Sequence, residues 1–137
     1  MFSHIMVGTR DLESLTRFYD AVLAPIGLER GHQEDDGGPV GHTWRRPGTA
    51  WPHFIVQYPF NERPATWGNG VQVSFAAPSQ DAVDRAWKAA IDNGGNDEGA
   101  PGPRPHYGSD YYGAYCRDPE GNKLCFVHTA ELARISL

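Results

Sequence analysis

The chain nearly repeats itself at half its length. Displaced by 68 positions, the interval from His4 to Gln72, the sequence lays His4-Ile-Met-Val7 on Gln72-Val-Ser-Phe75 without a gap. The same shift lays Leu15 on Val83, Tyr19 on Trp87, Leu23 on Ile91 and Gly27 on Gly95. Each copy opens with a strand-like segment, passes a helix-capping residue, runs along an amphipathic helix and stops at glycine. Two copies of one supersecondary unit are therefore expected, with any site lying between or across them.

The 137 residues suffice for one ordinary hydrophobic core, so a single domain over 1–137 is expected. Module one spans about 1–60, a connector 61–70 and module two about 71–130. No apolar run is long enough to span a membrane and no leader is visible, which points to a soluble, cytoplasmic protein with no membrane partner. Two cysteines, Cys116 and Cys125, fit free thiols in a reducing compartment. A formal net charge of −5 without a lysine or arginine run argues against nucleic acid as a partner.

In Phe2 to Gly8, alternation puts Ile5 and Val7 on one strand face and Phe2, His4 and Met6 on the other. Asp11 reads as the N-cap of a helix over about Leu12 to Ala24, ended by Pro25 and Gly27. Strands are expected near Leu28 to Gln33, Val40 to Arg45 and His53 to Tyr58, giving β-α-β-β-β. Pro59 to Gly70 reads as the connector. The second unit repeats the order with a strand over Val71 to Ala77 and a helix from a Ser79 cap through about Asn93. A weak strand near Asn96 to Gly99 and a long loop, Pro101 to Asp110, come next. A hairpin of Tyr111 to Arg117 and Lys123 to His128 turns at Asp118-Pro-Glu-Gly-Asn122. The tail from Ala130 to Leu137 carries no clear assignment.

Each helix needs an apolar sheet face, which Ile5/Val7, Val73/Phe75 and Leu124/Phe126 supply. The opposite faces then carry His4, Gln72, Cys125, His53 and Gln57, converging on a cup suited to a small ligand or a metal. A one-residue register error would reverse all of them.

The chain resembles the vicinal-oxygen-chelate superfamily of glyoxalase I, bleomycin-resistance proteins, extradiol dioxygenases and fosfomycin-resistance enzymes. The carriers are His4-Ile-Met-Val with Asp11-Leu-Glu-Ser-Leu-Thr-Arg-Phe-Tyr-Asp20, then Gly68-Asn-Gly-Val-Gln-Val-Ser-Phe-Ala-Ala77, and finally Tyr111-Tyr-Gly-Ala-Tyr-Cys-Arg-Asp-Pro-Glu-Gly-Asn-Lys-Leu-Cys125. The resemblance implies an α+β fold of two tandem βαβββ modules forming an incomplete barrel, with dimers in many members.

In metal-dependent relatives a divalent ion sits in the cup. Carried over, its ligand positions are His4, Gln57, Gln72 and Cys125, where the family pattern has histidines and carboxylates. A set without carboxylate suits zinc better than magnesium or manganese, and two strong ligands fall short of the three usual at catalytic zinc. Cys125 could stand in for the missing glutamate only with a lowered pKa. His106, in the Arg104-Pro-His-Tyr107 loop, is the other candidate acid or base. Trp51, Trp67, Arg104, Tyr107 and Tyr112 are the expected ligand-binding residues, while the tryptophans serve equally well in a dimer contact.

The implied function is binding of a small organic molecule in the concave cavity, by a metal-dependent lyase or dioxygenase with a degraded ligand set. The alternative is a non-catalytic protein that sequesters a drug or metabolite. A homodimer is expected.

Overall fold

Period-two alternation makes β1 (His4–Gly8) and hands the chain to α1 (Leu12–Leu23), where Asp11 accepts a hydrogen bond from the Ser14 amide at 3.1 Å. The computed structural model describes residues 1–32 and 35–135. One face of α1, carrying Leu15, Phe18, Tyr19, Val22 and Leu23, is fully buried. Burying each such side chain contributes about 1.5–3 kcal/mol before entropy is counted. The helix ends one residue before the expected Ala24. Pro25 tightens the chain into a 3-10 turn over Ala24–Ile26, and Gly27, at φ 87°, makes the left-handed stop.

Three strands complete module one: β2 (Glu29–Arg30), β3 (Gly41–Arg45) and β4 (His53–Gln57). The strand expected to reach Gln33 is confined to two residues; Gln33 itself lies outside the described residues. Module two repeats the plan with β5 (Gln72–Ala76), α2 (Gln80–Asp92), β6 (Asn96–Pro103), β7 (Tyr112–Arg117) and β8 (Lys123–His128). Ser79 caps α2 by accepting from the Ala82 amide.

Strand β6 runs four residues past its expected end at Gly99, into the segment assigned to a loop. Register shifts at Asp97/Gly99 and Gly99/Gly102 break the alternation that would have revealed it. The tail forms a short helix, α3 (Ala130–Ile135), while Ser136 and Leu137 lie outside the described residues. None of the described helices is long and apolar enough to cross a membrane.

The sheets have matching orders, β1-β4-β3-β2 and β5-β8-β7-β6, each pairing its first and last strands in parallel. Neither closes into a barrel. On α2 the buried face is small, Ala82, Val83, Ala86 and Ala90, which lets α1 pack directly against it.

One core serves both modules. Tyr19 meets Phe54 at 4.9 Å, Phe54 meets Phe75 at 5.2 Å edge-on, and Phe75 stacks on Phe126 at 6.2 Å. The helix-side faces of both sheets thus share an interior. Ile5, expected inside, is 38 % exposed, because β1 is an edge strand whose helix side is only partly covered.

Candidate functional site

Parallel pairing of β1 with β4 sets His4 beside His53. Their rings stack at 5.6 Å, and Trp51 lies 4.3 Å from His53 and 5.8 Å from His4. The Ala50 carbonyl accepts from His53 Nδ1 at 3.0 Å. A carbonyl can only accept, so Nδ1 carries a proton, and the tautomer this bond selects is the one with Nε2 as the acceptor. His4 Nδ1 lies 2.9 Å from the Ser3 hydroxyl. Gln57 belongs elsewhere: it pairs with Gly8, four residues along β4 from His53, roughly 13 Å at the rise of a strand.

Module two builds a second cluster around Cys125. Register aligns Ser74, Cys125 and Tyr115 across three strands. Gln72 donates to the Ser74 hydroxyl at 2.9 Å. The hydroxyls of Tyr111 and Tyr115 lie 3.0 Å apart, and that of Tyr111 is 3.6 Å from the Cys125 sulfur. Burial pushes the Cys125 thiol up, against the hydrogen bonds from Tyr111, Ser74 and Tyr115. Burial also raises the Tyr111 and Tyr115 hydroxyls, so all three groups carry their protons near neutral pH. Cys116, the penultimate residue of β7, faces the helix side, opposite to Cys125, and both thiols are free.

This donor set does not fit a divalent ion. Cys125 is held as the neutral thiol, and the thiolate is the metal ligand. The two glutamines offer neutral amides, one already bonded to Ser74. His4 and Gln57 stand at opposite ends of their strands, and the contacts of His4 and Cys125 belong to different clusters. Among the described residues, no group of three or more His, Cys, Asp or Glu side chains is gathered to hold a metal.

A cavity of about 510 Å³ lies between the modules. Its apolar lining includes Ile26, Leu28, Trp44, Phe54, Val73 and Phe75, and its polar lining is His4, Arg46, His53 and Ser74. It therefore borders residues from both clusters. Trp44 is buried, donates its indole N–H to Asp20 at 3.0 Å and forms a wall of this space.

The remaining candidates scatter. Trp67 lies under the Arg117 guanidinium at 5.3 Å and against Gly121, whose φ of 93° and lack of Cβ permit that approach. Tyr112 faces α2, where its hydroxyl donates to Asp84 at 2.7 Å; strand alternation sends it to the side opposite Tyr115. His106, Tyr107 and Tyr111 form an aromatic ladder with ring separations of 4.1 and 5.2 Å. Arg104 reaches over the Tyr115 ring at 5.8 Å. Tyr115 is the residue that the expected site set lacks, although period-two counting from Cys125 across the hairpin places it beside the thiol.

The comparisons agree with this architecture. Residues 1–126 match the model of the Glyoxalase/Bleomycin resistance protein/Dioxygenase superfamily. A glyoxalase/bleomycin resistance protein from Albidiferax ferrireducens is 42 % identical over 94 % of this chain and 98 % of its own, with a TM-score of 0.79. A glyoxalase/bleomycin resistance protein/dioxygenase family enzyme from Burkholderia phytofirmans is similar in fold: 22 % identical, covering 92 % of this chain and 96 % of its own, TM-score 0.67. A lactoylglutathione lyase from Agrobacterium tumefaciens, 17 % identical, shares the fold over 93 % of this chain and 92 % of its own at a TM-score of 0.60. No curated protein matches the sequence. The chain belongs to the glyoxalase/bleomycin resistance protein/dioxygenase superfamily.

Proposed function

We infer that the protein binds a small, largely apolar organic molecule in the cavity between its modules, without a metal ion. The observation that carries this reading is the lining: mostly aromatic and aliphatic side chains, with His4, Arg46, His53 and Ser74 as the polar ones. Such a space buries a drug-sized ligand while a few polar groups orient it. His53 Nε2, held as an acceptor by the Ala50 carbonyl, would take a ligand hydroxyl or N–H. Sequestration needs nothing more than this. A lyase or dioxygenase reaction would need a Lewis acid that the donor set does not favour.

Titration with a panel of small neutral aromatic and alicyclic compounds, followed by tryptophan fluorescence, tests the reading. Trp44 in the lining and Trp51 beside His4 and His53 should report saturable binding. The plugging variant Ala76→Phe should abolish it while keeping the fold. A flat response across the panel would sink the proposal.

The homodimer expected of this fold has its own support. Phe2, Met6 and Val71 are exposed next to β1 and β5, both edge strands with unpaired backbone groups. A second copy covering these edges would close the cavity further. Light scattering should give twice the chain mass; a monomer at micromolar concentration would count against the pairing.

A further inference from the structure

The open face of module two carries charge that the cavity does not use. Lys123 Nζ lies 5.9 Å from the Tyr115 ring centroid and the Arg104 guanidinium 5.8 Å from it, so two cations flank one ring. Among the described residues neither pairs with a carboxylate: Arg104 donates to the carbonyls of Ala100 and Pro103. The neighbouring Arg117, by contrast, is neutralised by Glu98. In a chain of net charge −5, a tyrosine-lined face with two uncompensated cations is an attractive surface for an anion.

Beside the cations stands the ladder of His106, Tyr107 and Tyr111, with Tyr107 largely exposed. It offers a flat aromatic platform next to the charge. The paired Tyr111 and Tyr115 hydroxyls supply donors between the two. We propose that this face binds a small aromatic carboxylate, its ring on Tyr107 and its carboxylate held by Lys123, Arg104 and the Tyr115 hydroxyl. Guanidinium and ammonium groups bond a carboxylate through charge-assisted hydrogen bonds, and an aromatic ring packs by offset stacking. The site is independent of the cavity reading, since Lys123, Arg104 and Tyr107 do not line that space.

Isothermal titration calorimetry on the full chain tests it, with benzoate as probe, benzyl alcohol as its neutral counterpart and inorganic phosphate as charge without a ring. Benzoate should bind saturably at one per chain, at least tenfold more tightly than either comparison compound. Lys123→Gln and Tyr107→Ala should each weaken it at least tenfold with unchanged circular dichroism, and Ala76→Phe should leave it untouched. No saturable heat, equal binding of benzyl alcohol or phosphate, or indifference to Lys123→Gln would each overturn the proposal. Loss of benzoate binding in Ala76→Phe alone would assign it to the cavity and overturn the proposal as well.

Discussion

Tyr19 on α1 donates its hydroxyl to the Asp118 carboxylate at 2.6 Å, joining the two modules through side chains that are both fully buried. Asp118 also accepts from the amides of Glu120 and Asn122 and from the Asn122 side chain, so one carboxylate organises the hairpin turn and the junction together. A second clasp lies nearby: Thr9 Oγ1 and the Arg10 amide both donate to Glu120, at 2.5 and 2.7 Å.

Removing the Tyr19 hydroxyl leaves a buried carboxylate short of a partner at no change in shape. Tyr19→Phe should cost about 1.5–3 kcal/mol in urea unfolding, the range for hydrogen bonds to charged groups. Tyr112→Phe deletes a bond of similar length to the exposed Asp84, where water replaces the lost partner, and should cost about 0.5 kcal/mol or less.

Burial holds the Asp118 carboxyl above its ordinary value, with the hydrogen bonds from Tyr19 and Asn122 opposing the shift. The folded state therefore keeps this proton to higher pH than the unfolded chain does. Its contribution to stability is full below the unfolded pKa of about 3.9 and is lost as pH rises through the raised folded value. Urea midpoints measured from pH 4 to 7 should show wild type losing stability relative to Asp118→Asn over that window. Parallel curves would contradict it.

Burial pushes the Cys116 thiol up to about 12 and raises that of Cys125 as well. Both should react with a thiol reagent at pH 8 at least a hundredfold more slowly in the native protein than in urea. Rapid native modification of Cys125 would show that its face opens.

Dialysis against a chelator should leave the melting temperature within about 2 °C of the untreated protein, a difference worth well under 1 kcal/mol. A larger drop, restored by zinc and lost in His4→Ala, would restore the metal reading.

The fold was largely legible because its signals are local. Alternation in His4 to Gly8 and Gln72 to Ala76, and the Asp11 and Ser79 caps, each lie within one turn or strand. Strand β6 was cut short because Gly99 and Gly102 bulge it out of register. The site was less legible, since it depends on pairings between distant segments. His53 rather than Gln57 joins His4 because β4 runs parallel to β1 from its first residue. A parity of one separates Tyr112, on the helix side, from the hydroxyl cluster of Tyr111 and Tyr115. The Tyr19 to Asp118 bond spans 99 positions, and no spacing rule reaches that far.

The most direct test of the account is methyl NMR of the full chain during titration with the fluorescence-active compound. The account predicts shifts concentrated at Ile5, Ile26, Leu28 and Val73, which line the cavity, and their disappearance in Ala76→Phe. Shifts elsewhere with these methyls silent would contradict it.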